Sequence, residues 1–184
     1  MATLIRFFKP YNVLSQFTDA HERPTLARYI DIAHVYPAGR LDFDSEGLLL
    51  LTDDGAVQSR ISHPRFKFEK TYLVQVEGVP DASVLRRIVS GVILNDGTSR
   101  AVRASKVAAP PDLPARDPPI AARHRDSSTW LKVVMNTGRR RQVRRMLAAA
   151  GHPVLRLVRT EIGPWTLAGL RPGEWAMETV NLPR

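Results

Sequence analysis

Four consecutive leucines, Leu48–Leu51, follow an acidic turn in the stretch AGRLDFDSEGLLLLTDDG, residues 38–55, and this run limits the possible folds more than any other. A short apolar run bounded by turn residues has to be buried, and at this length it fits a strand. The spacing predicts a rigid buried strand with Asp42, Asp44 and Glu46 held at its mouth, and Asp53-Asp54-Gly55 turning the chain out again. A carboxylate at such a place is partly desolvated, which raises its pKa unless a cation within about 4 to 6 Å keeps it ionised.

The rest of the chain alternates strand and helix signals. Thr71–Glu77 puts Tyr72, Val74 and Val76 on one face, the period of a half-buried strand. Asp81 is placed to cap a helix whose apolar stripe is Val84, Leu85, Ile88 and Val89. Asn95-Asp96-Gly97 reads as a hairpin turn, Trp130–Met135 as a strand, and Arg139–Ala150 as a helix with Val143, Met146, Leu147 and Ala150 inward, ended by Gly151 and Pro153. Strands joined by hairpins as well as helices predict an α+β fold, with a mixed, mainly antiparallel sheet and flanking helices. Ala109–Pro119 holds five prolines among eleven residues and must be loop. The segment after it is too short for a core of its own. The expected organisation is therefore one catalytic domain over residues 1–184 with a long internal connection.

Composition narrows the partners. The net charge is +9. Between Ser127 and Thr160 there is no Asp or Glu, while Lys132, Arg139, Arg140, Arg141, Arg144, Arg145, Arg156 and Arg159 contribute eight positive charges. Such a field favours polyanions, and arginine forks match phosphate oxygens, so nucleic acid is favoured over a membrane surface. No apolar run approaches the length of a membrane span, and the opening MATLIRFFKP lacks the features of a signal peptide. With zero cysteines there are no disulfides or thiolate metal sites, which fits a cytoplasmic protein. No obligate protein partner is evident.

Three readings compete for the acidic turn. Asp42, Asp44, Glu46 and Gly47 sit at positions of a calcium loop, but such a loop wants Asp or Asn where Glu46 stands and a bidentate Glu where Asp53 stands. A glycosidase-like carboxylate pair, Asp42 with Asp44 or Glu46, meets a chain with only 7% aromatic residues and a surplus of arginine. The third reading is a single ionised carboxylate compensated by a distant arginine. An enzyme of that kind competes with a non-catalytic basic RNA-binding module of the ribosome or its assembly.

At these residues the chain resembles the bacterial ribosomal RNA pseudouridine synthases of the small-subunit synthase A-like family. GRLDFDSEGLLLLTDDG matches that family's motif around a catalytic aspartate, and KTYLV (70–74) and GRRRQVRRML (138–147) match two further motifs in the expected order. FFKPYNVLSQFTD (7–19), LRLVRTEIGPW (155–165) and GEW (173–175) extend the likeness over nearly the whole chain. The resemblance implies the pseudouridine synthase fold with a central active-site cleft. It implies isomerisation of a uridine in 23S ribosomal RNA, free or in an assembling large subunit, without metal or organic cofactor. Carried onto this sequence, it makes Asp42 the catalytic carboxylate, Arg144 its salt-bridge partner, and Tyr72 the ring that stacks on the flipped base. Leu157 and Lys70 belong to the base pocket, and Arg40 enters the space that the nucleotide leaves. Arg139, Arg140, Arg141 and Arg145 contact RNA. Many family members begin with a small RNA-binding domain, which is expected to be absent here, so affinity falls to the catalytic surface. Taken singly, Tyr72 and Leu157 read as core, Arg144 as a solvated helix residue and Arg40 as a bridge to Asp44 or Glu46. His63 and His152 are read as structural.

Overall fold

The leucine run is a strand that is apolar on both sides. All four leucines are 0% exposed. Leu48 and Leu50 pack with Leu4, Val57, Ile61 and Trp165, whereas Leu49 and Leu51 pack with Ile5, Phe7, Leu26 and Leu41. Side chains alternate across a strand, so a continuous apolar run is stable only between two such layers. Each buried leucine contributes roughly 2 kcal/mol from area removed from water.

The computed structural model describes residues 1–183. In chain order its elements are β1 (Ala2–Lys9), β2 (Tyr36–Pro37), β3 (Glu46–Thr52), α1 (Gly55–Ser62), β4 (Lys70–Glu77), α2 (Ala82–Ser90), β5 (Val92–Leu94), β6 (Gly97–Ser99), β7 (Arg103–Val107), α3 (Ala122–Arg125), β8 (Ser128–Met135), α4 (Gln142–Ala149), β9 (Val154–Ile162), β10 (Trp165–Thr166) and β11 (Trp175–Val180). They group into two compact units: residues 1–68 with the chain from Arg159 onward, and Glu69–Val158. β9 carries the chain from the second unit back into the first.

In the first unit β1 lies between β11 and β3, antiparallel to both, with Ile5 opposite Leu51 and Phe8 opposite Leu48. Asp53-Asp54-Gly55 does not simply turn the chain out. Asp54 caps α1, its Oδ1 accepting from the amides of Ala56 and Val57 at 2.8 and 3.0 Å. The short apolar face of this helix, Val57 and Ile61, covers the Leu48 and Leu50 side of the strand.

In the second unit β8 is flanked by β4 and β7, again antiparallel, with Tyr72 opposite Val133 and Lys70 opposite Met135. The predicted face of β4 is buried: Tyr72, Val74 and Val76 join Ile88 of α2, Leu131 and Val133 of β8, and Val143, Met146 and Leu147 of α4. Asp81 caps α2 through Val84 N at 3.0 Å, and Val89 is left exposed. The hairpin at Asn95-Asp96-Gly97 joins β5 to β6. The proline-rich stretch is a loop of this unit, fastened to β9 by Arg116 Nη1 on Leu155 O (3.2 Å) and Arg156 Nη2 on Pro114 O (2.7 Å).

Candidate active site

Asp42 sits half-buried in the turn that leads into β3, and the backbone on either side of it is held by three buried side chains. Arg159 Nη1 donates to Arg40 O (3.5 Å), Ser15 Oγ donates to Leu41 O (2.7 Å) and accepts from Leu41 N (3.0 Å), and Lys9 Nζ donates to Phe43 O (3.5 Å). Residues 40, 41 and 43 are thereby fixed, and residue 42 can move little between them. The turn closes on itself through Ser45 N to Asp42 O at 3.0 Å. Positioning of this kind is what a reacting carboxylate needs, because small misplacements cost rate. Arg40 is exposed and donates to Gln16 Oε1 at 3.1 Å.

None of these three clamps is visible in local sequence. Lys9 ends β1, is 0% exposed, and also donates to Pro10 O and Val13 O at 2.8 and 2.7 Å. Burial pushes its ammonium down from 10.5 to about 7, against the pull of Glu46 and Asp44. Arg159, on β9, is buried too, and its Nε donates to Leu48 O at 2.8 Å. Its backbone lies against Gly47, where a Cβ would stand 2.1 Å from Arg159 O. The sequence counted Arg156 and Arg159 in its basic field, but both are buried.

The second unit carries the remaining expected residues. Tyr72 on β4 and Leu157 on β9 belong to one buried cluster together with Val143 of α4, and Tyr72 keeps 8% of its surface exposed. Arg144 follows Val143 on the same helix and is half-buried, as is Lys70 at the start of β4. The helix begins at Gln142, later than the spacing predicted. Gln142 explains the delay: its Oε1 accepts from Arg139 N (3.1 Å) and Thr137 Oγ1 (3.0 Å), and its Nε2 donates to Ser99 Oγ (2.8 Å). These bonds hold residues 137–141 as a loop, with Arg141 in the left-handed region at φ 50°.

Asp96, from the β5–β6 turn, meets the arginine segment. Arg145 binds it with two nitrogens at 2.8 and 3.0 Å, and Arg139 approaches it at 3.2 Å while donating to Asp96 O and Thr98 O. The Arg145 hydrogen bonds hold the Asp96 carboxyl below the usual carboxylate range. Two of the four arginines expected on RNA thus also fasten a hairpin, whereas Arg140 is exposed. No group of three His, Cys, Asp or Glu side chains among the described residues is placed to hold a metal ion.

With this arrangement in view, comparison with known proteins is decisive. The family model for RNA pseudouridylate synthase matches residues 3–149. The chain belongs to the RNA pseudouridylate synthase family. It is 50% identical over 183 residues to ribosomal large subunit pseudouridine synthase E of Xanthomonas campestris pv. campestris, with 98% of each chain covered. It is 47% identical over 180 residues to the protein of the same name from Vibrio vulnificus, covering 98% of this chain and 76% of that one. A crystal structure of a pseudouridylate synthase superposes with a TM-score of 0.77 at 27% identity, over 97% of this chain and 71% of that one. This pseudouridylate synthase is thus an isomerase with the α+β pseudouridine synthase fold, as its motifs implied. No helix among its described residues is long and apolar enough to cross a membrane.

Proposed function

We propose that this enzyme converts one uridine of 23S ribosomal RNA to pseudouridine in the cytoplasm, as free RNA or in an assembling large subunit, with Asp42 as the catalytic carboxylate. The observation that carries the proposal is the clamped turn. Residues 40, 41 and 43 are each held by a buried side chain, and this fixes the backbone from which Asp42 presents its carboxylate. The shared naming of relatives about half identical over the whole chain supports the large-subunit substrate and the synthase E type.

The reaction breaks the C1′–N1 bond, turns uracil and joins C1′ to C5; the proton lost from C5 is balanced by one gained at N1. Nothing is oxidised or consumed, so no co-reactant is required. The uridine first leaves its stack, at a cost of a few kcal/mol. Tyr72 offsets part of that cost as the stacking ring, at about 1–3 kcal/mol per base, and Leu157 and Lys70 complete the pocket. Asp42 attacks C1′, attacks C6 or removes the 2′ proton, and each route needs it ionised. In this proposal Arg144 is the cation that keeps it so, Arg40 fills the place of the flipped nucleotide, and Arg139, Arg140, Arg141 and Arg145 face phosphates.

Asp42→Asn tests the assignment. It keeps the shape of the turn and removes the charge. Isomerisation of a 23S fragment is expected to fall by at least about three orders of magnitude, while RNA affinity changes less than threefold. A variant that still converts uridine at the normal rate removes Asp42 from catalysis, and an RNA that no form of the protein converts favours a pure binding module.

A further inference from the structure

We propose that a second RNA contact exists in the first unit, where Arg60 and Arg65 flank Phe66 beside a cavity and grip the phosphate backbone of the substrate away from the reacting uridine. The inference rests on RNA being the substrate. The Arg60 guanidinium lies 4.2 Å and that of Arg65 4.4 Å from the centroid of the Phe66 ring. All three line a cavity of about 290 Å³ together with Asp54, Ala56 and Val57. Two guanidiniums on one ring lie within about 9 Å of each other, and like charges that close repel unless an anion joins them.

No described residue supplies that anion. Among the described residues neither guanidinium forms an ion pair or a side-chain hydrogen bond, so their N–H forks are open. The one carboxylate among the described residues of the cavity wall, Asp54, is engaged at the start of α1 by Ala56 N and Val57 N. Contact with the Phe66 ring restrains both guanidiniums and lowers the entropy lost when they bind. A phosphodiester chain, with an anionic group on each nucleotide, can use two pre-set forks at once. The exposed Lys67 adds positive charge nearby.

Position separates this contact from the reacting carboxylate. The cavity opens near Asp54, just past the end of β3, whereas Asp42 precedes its start. The strand between spans about 20 Å at roughly 3.3 Å per residue, so RNA has to continue for several nucleotides beyond the target uridine to reach the cavity.

The test compares the double variant Arg60→Gln/Arg65→Gln with the unaltered enzyme on two RNAs. One is a long 23S fragment, and the other carries the target uridine with only a single nucleotide on each side, too short to reach the cavity. On the long RNA we expect Kd at low salt to rise about tenfold, the slope of log K against log salt to flatten by about 2, and kcat at saturation to stay unchanged. On the short RNA no difference is expected. Arg60→Lys/Arg65→Lys, which keeps the charge, should retain most of the slope and guards against loss of folding. An unchanged slope on the long RNA, or an equal loss on both RNAs, overturns the proposal. If the unaltered enzyme itself converts no uridine in the long RNA, it is the functional reading that fails.

Discussion

Lys9 is a lysine enclosed by carbonyl groups, and its proton is in play near neutrality. Its folded value of about 7 lies far below the 10.5 of an exposed lysine, chiefly because burial disfavours the ammonium. The unfolded chain regains the ordinary value, so between about pH 7 and 10.5 it binds more protons than the folded chain. Stability is then expected to rise with pH across that window, by up to about 1.4 kcal/mol per pH unit from this group. Lys9→Met should remove that contribution. Urea unfolding at pH 7 and pH 9 for both proteins measures it, and an equal gain in both would mean that Lys9 is not the source. Neither Lys9 nor Ser15 carries a legible signal for the site. Both stand in the quoted stretch FFKPYNVLSQFTD, but their partners, Phe43 and Leu41, lie 34 and 26 residues away.

At the scale of elements, the approach of β9 to β3 depends on one missing side chain. Gly47 has φ +108°, and a Cβ there would stand 2.1 Å from Arg159 O and 2.7 Å from Arg159 N. Every near atom is Arg159 backbone, so no flexible side chain is there to yield. Gly47→Ala therefore combines a disfavoured dihedral with overpacking, together about 3 kcal/mol or more, which for a chain of this size lowers Tm by roughly 10 °C. A thermal melt followed by circular dichroism checks this, and a Tm within a degree or two of the unaltered protein would refute the close approach. An unbroken apolar run made β3 readable, and apolar positions at period two or 3.6 made β4 and α2 readable, because such patterns report a core face directly. They failed where a side chain reached across the fold. Gln142 bonds Ser99 from 43 residues away and shortens α4, and Asp54 starts a helix whose buried stripe is only Val57 and Ile61. The order of the motifs singled out the candidate site, while the hydrogen bonds that hold its turn were not legible.

Over the whole molecule, a net charge of +9 says less about RNA than where the cations end up. Arg156 and Arg159 are buried, and Arg139 and Arg145 share Asp96, so the eight charges between Ser127 and Thr160 cannot act equally on a polyanion. Counterions are released only by groups that reach phosphate. Arg140 is exposed, so Arg140→Gln should flatten the salt dependence of RNA binding by about 1 in log–log slope. Arg139→Gln should flatten it less, because that guanidinium already donates to Asp96 O and Thr98 O, and should instead loosen the β5–β6 hairpin. Filter binding from low to moderate salt, with hydrogen exchange at residues 92–99, separates the two effects. Equal slopes for both variants would show that pairing with Asp96 does not withdraw charge from the RNA surface.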